Sequence, residues 1–382
     1  MRTLTKVASV TAAAAMALTL GACSGGGRSA TSTESDDTAA SGSSTTSTGD
    51  ISVGISLPQK TSQNWVEAEG MFNDDCKAMG ITCQVQFANS GVNEQQSQIS
   101  AMVENGVNVL IIGAIDGSQL GTQVKAARDA GIKVIAYDRL LTNTTDIDYY
   151  IAYDNFGVGQ LQGKSLLEGL EAQKGSSPWD IELFAGSPDD ANSMKFFNGA
   201  MDVLQPKIDD GTLVVKSGQT EFSQAATQGW LPANAQNRMA SLLTANYTGD
   251  EVPAGVLSPN DTLARAIITA VEQAGKETPV VTGQDSEDES VTWVVQGKQY
   301  STIYKDTRPL VQGALDLAKA VAGGETDPTV ENTTVDKTQY ESQEGNAVTS
   351  YLLTPQIVTA DNAAEVYASD SHRMELVNAA KK

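Results

Sequence analysis

The chain has 382 residues, too many for one ordinary domain, and its 40% hydrophobic fraction can bury a core. Twenty-five Lys and Arg stand against 47 Asp and Glu, a net charge of −22, which argues against nucleic acid and anionic lipid surfaces as partners, since both need clustered cations. The single histidine, His372, near the C-terminus, leaves almost no material for a Ser-His-Asp triad or a His-rich metal site.

Arg2 and Lys6 precede an uncharged run over 7–20, which ends in Leu20-Gly21-Ala22-Cys23. A basic front, a short apolar stretch and small residues before a cysteine read as an export signal over 1–22. The run is shorter than the roughly 20 apolar residues of a membrane-spanning helix. The four residues resemble the lipobox of bacterial lipoproteins, which implies cleavage before Cys23 and acylation of its thiol. From 24 to 50, 19 of 27 residues are Ser, Thr or Gly. That composition cannot offset its ordering entropy, so 23–50 is expected to be a lipidated cysteine and a flexible tether. Two cysteines remain, Cys76 near the end of a helical pattern and Cys83 in the following strand. They read as a short-loop disulfide or as two buried thiols, and the exported context favours the bridge.

From residue 51 onward, apolar β-branched runs alternate with longer amphipathic stretches. Strands are expected over 51–57, 84–87, 107–115, 133–137, 149–153, 181–185, 213–217, 255–257, 280–283, 301–304 and 350–353. Helical patterns between them include 94–105, 119–130, 158–171, 192–203, 233–244, 262–274 and 309–322. Strand followed by helix, repeated this often, predicts an α/β protein of two doubly wound parallel-sheet lobes.

In such sheets ligands sit beyond the carboxyl ends of the strands. Those ends carry Asp116, Asp138-Arg139, Asp154-Asn155, Ser187-Pro188-Asp189-Asp190-Ala191-Asn192, Asn260-Asp261, Asp285 and Lys305. Any single Asp or Asn there could be a helix cap. Arg139 and Lys305 are not caps, and burying them requires anionic partners. Trp65, Phe72, Phe196, Phe197 and Trp230 supply aromatic faces, either to the core or to the apolar face of a sugar ring. Paired polar groups with aromatic faces suit a sugar, whose hydroxyls both donate and accept.

Four segments carry a closer likeness: Ala136-Tyr137-Asp138-Arg139-Leu140, Ala185-Gly186-Ser187-Pro188-Asp189-Asp190, Leu257-Ser258-Pro259-Asn260-Asp261 and Thr302-Ile303-Tyr304-Lys305-Asp306. They resemble the type I periplasmic binding proteins of bacterial sugar ABC importers, in the xylose and multiple-monosaccharide branch, over 51 to about 364. The resemblance implies two lobes joined by a three-segment hinge, with lobe 1 over 51–153 and 306–345 and lobe 2 over 154–305 and 346–382. It places Asp138, Arg139, Asn260, Asp285 and Lys305 on the ligand, and Trp65 and Trp230 at stacking positions. Lys60 and Asp116 are further candidates. Asn192 stands where many relatives carry arginine, a departure shared by the xylose-like branch.

The function so implied is capture of a pentose or hexose (xylose, arabinose, glucose or galactose) by a monomeric lipoprotein on the extracytoplasmic face of the cell membrane. Delivery would be to ABC permease subunits, with no enzymatic activity, metal or cofactor expected. No G-x-x-x-x-G-K-[ST] loop occurs in the chain, so an ATPase would be a separate protein. The other readings are a sugar-signal receptor for chemotaxis or sensing and, further off, a secreted glycosidase.

Overall fold

The computed structural model describes residues 51–382; the export signal, Cys23 and the tether lie outside them. The first lobe is built on a seven-stranded sheet in the order Thr333–Asp336, Ser350–Leu353, Tyr149–Tyr153, Lys133–Tyr137, Val109–Ile112, Ser52–Leu57, Thr82–Phe87. All neighbours are parallel except the first pair. Alternate residues of each strand feed two cores. Ile55, Ile111 and Ile135 pack on one face under the helices Gln63–Met79 and Thr307–Ala322, while Leu110, Val134 and Ala136 pack on the other under Val92–Glu104 and Gly121–Asp129. Burial on both faces is why these strands are apolar throughout instead of alternating with polar residues. Each Ile, Leu or Val among them, fully withdrawn from water, is worth about 1.5–3 kcal/mol.

The second lobe carries a four-stranded parallel sheet in the order Leu213–Val215, Trp179–Leu183, Gly255–Leu257, Val280–Val281. Beside it lies an antiparallel pair, Ser301–Tyr304 with Gln356–Thr359. Its two central helices, Asn155–Gln173 and Ala191–Asp209, approach so closely that a Cβ on Gly159 would overlap the Phe196 carbonyl and one on Gly199 the Phe156 carbonyl. Glycine at both positions allows backbone-to-backbone packing, which fixes the second helix with Asn192 at its first turn.

Three segments cross between the lobes. Tyr153 passes to the helix Asn155–Gln173, and Tyr304 passes through Lys305 to Thr307–Ala322. The third crossing differs from the expected break between 345 and 346. Ser350–Leu353 pairs in parallel with Tyr149–Tyr153, so the chain stays in the first lobe through Leu353 and crosses at Thr354-Pro355. Residues 346–353 therefore belong to lobe 1, where Ser350–Leu353 lies between Tyr149–Tyr153 and Thr333–Asp336.

The helix Gln63–Met79 buries Trp65, Ala68, Phe72 and Cys76, one face of a 3.6-residue period, and stops at Gly80 with φ 68°. A disulfide joins Cys76 to Cys83 in the edge strand, with their Cα atoms 6.1 Å apart.

Candidate functional site

The carboxyl ends of both sheets face one cleft, lined by Thr61, Ser62, Asn64, Trp65, Asp138 and Arg139 from the first lobe. Asp190, Asn192, Phe196, Trp230, Asn260, Gln284 and Asp285 line it from the second, and Lys305 from a crossing segment. The cavity so enclosed is small, about 30 Å³ of free space.

Asp138 ends the strand Lys133–Tyr137 with φ 58°. Its amide donates to the Ile151 carbonyl at 2.9 Å, and its own carbonyl accepts from Asn192 Nδ2 at 2.9 Å and the Tyr150 hydroxyl at 2.7 Å. These bonds hold a left-handed turn that Asp tolerates better than most residues. Trp230 (φ 55°) and Asp285 (φ 94°) share this left-handed backbone. Three such residues around one cleft are a concentration of strain of the kind found at binding sites, about 1–3 kcal/mol each.

The charges fall into an uneven set. Arg139 Nε meets Asp190 Oδ2 across the lobes at 2.9 Å, with side chains 9% and 3% exposed, and its Nη1 donates to the Ala114 carbonyl at 3.0 Å. Lys305 Nζ meets Asp285 Oδ1 at 3.0 Å. Burial works against the Lys305 charge, but Asp285 and Asp138 outweigh it and hold the ammonium above its ordinary value. Asp138 has no cation of its own within ion-pair distance among the described residues; its carboxylate takes one long bond, from Asn192 Nδ2 at 3.3 Å. Burial raises its pKa, Lys305 and Arg139 pull it back, and Asp190 and Asp285 push it up again, for a net rise.

Aromatic side chains are set by the same groups. Trp230 Nε1 donates to Asp190 Oδ2 at 3.0 Å, and a Cβ on Gly186 would overlap the Trp230 six-membered ring. Trp65 lies 5.2 Å beneath the Arg139 guanidinium and packs edgewise on Tyr137. Asn260 caps the helix Asp261–Gln273 through Oδ1 to the Leu263 amide at 2.9 Å, yet it also lines the cleft. Capping and ligand-facing positions coexist in one side chain.

Of the ten expected ligand residues, eight line this cleft: Trp65, Asp138, Arg139, Asn192, Trp230, Asn260, Asp285 and Lys305. Two do not. Lys60 is an exposed residue whose Nζ pairs with Glu69 at 2.9 Å and lies 4.3 Å over the Phe87 ring. Asp116 is a cap, accepting from the Ser118 amide at 2.9 Å and its hydroxyl at 2.6 Å, and from Gln119. Asp190 belongs to the strand-end motif Ser187-Pro188-Asp189-Asp190, where its sequence position is equally that of a helix cap; Thr61, Ser62, Asn64 and Gln284 carry no signal beyond standing near a strand end. Phe72 belongs to the core of the first lobe and Phe197 to that of the second. Among the described residues no group of three or more His, Cys, Asp or Glu is placed to hold a metal ion.

A model of the periplasmic binding protein domain matches residues 53–326. The multiple sugar-binding periplasmic receptor ChvE of Rhizobium radiobacter is 43% identical over 82% of this chain and 88% of its own. The D-xylose-binding periplasmic protein of Escherichia coli is 32% identical over 85% and 92%. Among solved structures, an ABC transporter solute binding protein from Clostridium phytofermentans with bound β-D-glucose superposes with a TM-score of 0.78 at 36% identity, covering 85% of this chain and 99% of that one.

Proposed function

The chain belongs to the periplasmic binding protein family, in its type I sugar-binding branch, and from that premise we propose that its cleft captures one neutral monosaccharide for an ABC importer. One observation carries the reading beyond family membership. Three buried carboxylates share the cleft with two cations, and Asp138 is the one left unpaired. A buried carboxylate without a partner is costly, and two sugar hydroxyls donating to it would remove that cost. An anionic ligand would add charge where carboxylates are already in excess, so sugar acids and sugar phosphates are disfavoured.

Closure is the operative event. Arg139 and Asp138 come from one lobe, and Asp190, Asn192 and Trp230 from the other, so the full contact set exists only when the lobes are shut. The closed form is what permease subunits would recognise. Cys23 would tether the protein to the outer face of the membrane, with two or more acyl chains needed for lasting attachment; among the described residues no helix is long and apolar enough to cross a membrane. The protein acts as a monomer and performs no chemistry on the sugar. Handing the closed form to a sensor is a second reading, supported by the relative named as a receptor.

Calorimetric titration of pentoses, hexoses and their uronic acids tests the proposal. Binding of at least one neutral aldose, with none of the corresponding acid, is the expected result. Binding of acids alone, or of no aldose, overturns it.

A further inference from the structure

Two segments that line the cleft also carry residues that never reach it. Gln63 stands between the lining residues Ser62 and Asn64, and Glu287 and Asp288 follow the lining residue Asp285 by two and three positions. Across the lobes Gln63 and Asp288 make a reciprocal pair: Gln63 Nε2 donates to Asp288 Oδ1 at 2.7 Å, and the Asp288 amide donates to Gln63 Oε1 at 3.0 Å. The Gln63 amide, at the first turn of its helix, donates to Glu287 Oε1 at 3.2 Å. One turn along, Glu67 accepts from Arg373 Nη2 at 3.2 and 3.3 Å, with side chains only 18% and 8% exposed.

Each acceptor and donor is braced within its own lobe. Glu287 is held by Thr262 at 2.9 Å and by Arg265, and Arg373 by Asp370 at 2.9 Å and the Ser286 carbonyl at 3.0 Å. The contacts need little rearrangement to form when the lobes meet, and none involves a ligand.

We propose that Gln63, Glu67, Glu287, Asp288 and Arg373 form a clasp at the cleft's edge that favours closure without touching the sugar. The inference rests on reading the cleft as a capture site, and these five are positioning residues. The clasp acts on the equilibrium between open and closed forms, and the apparent dissociation constant is the intrinsic one divided by the closed fraction. It therefore strengthens every sugar by the same factor and selects among none. It also holds a fraction of unliganded molecules closed.

Gln63→Ala removes the reciprocal pair, and Glu67→Gln weakens the link to Arg373 while keeping its shape. Dissociation constants for D-glucose, D-galactose, D-xylose and L-arabinose, measured calorimetrically, should rise by one common factor of about tenfold in the double variant. Unliganded scattering should give a larger radius of gyration than wild type, with the melting curve preserved. Unchanged constants, a factor that differs between sugars, or an unchanged radius would overturn the clasp. If wild type binds none of the four sugars, the capture reading fails, and the radius of gyration still decides the clasp on its own.

Discussion

Asp116 and Asp138 follow adjacent parallel strands of the same sheet, 22 positions apart, and come to opposite ends. Asp116 keeps an extended backbone (φ −131°) and folds back onto the turn it starts. Burial pushes its pKa up, but the bonds from Ser118 and Gln119 outweigh that and hold the carboxyl below its ordinary value. Asp138 takes φ 58°, caps nothing, and keeps a raised pKa because burial is not answered by local donors. A strand-end carboxylate satisfied by its own turn is structural; one left wanting donors in a shared cleft is available to a ligand.

That contrast can be broken in graded ways. Asp138→Ala should have the largest effect, raising the dissociation constant for the preferred sugar roughly a hundredfold or more, since two hydrogen bonds to a charged group are worth about 1.5–3 kcal/mol each. Its unliganded melting curve should hold near wild type; a variant that binds normally would place the ligand elsewhere. Gly186→Ala comes next, because its Cβ would drive the Trp230 ring from its bond to Asp190. Affinity should fall about tenfold, with a stability loss of about 1–3 kcal/mol from overpacking. Tryptophan emission reports the displaced ring, and an unaltered spectrum with unaltered affinity would mean that the ring's seat is irrelevant. Asp116→Ala should move least. Urea unfolding should register the loss of a cap, about 0.5–2 kcal/mol, while sugar titrations coincide with wild type.

The two-lobe pattern is legible because strands buried on both faces leave a compositional trace and the helices between them keep their period. The strand-end positions of Asp138, Arg139, Asn192, Asn260, Asp285 and Lys305 follow from that pattern. What stays hidden depends on loop direction. Between the strand Ser52–Leu57 and the helix at Gln63 the chain runs through consecutive polar residues, and no periodicity says that Thr61 and Ser62 face the cleft while Lys60 turns to Glu69. The left-handed turn at Asp138 is likewise set by Tyr150 and Asn192, which are distant in sequence. The strand Ser350–Leu353, apolar on both faces, suits either lobe equally well; only the partner it finds, Tyr149–Tyr153, decides.

The late crossing at Thr354-Pro355 governs the order in which the molecule can assemble. The first sheet spans Ser52 to Leu353, with the whole four-stranded sheet of the second lobe made in between. The second lobe's central βαβ units are local and complete by Val281, whereas the first must wait for a strand some 200 residues downstream of the neighbour it pairs with. Until Ser350–Leu353 emerges, Tyr149–Tyr153 keeps an exposed edge. The N-terminal lobe, first to be synthesised, is thus sealed only after the four-stranded sheet of the second has been made, and a chain cut short near 345 would leave its sheet unsealed.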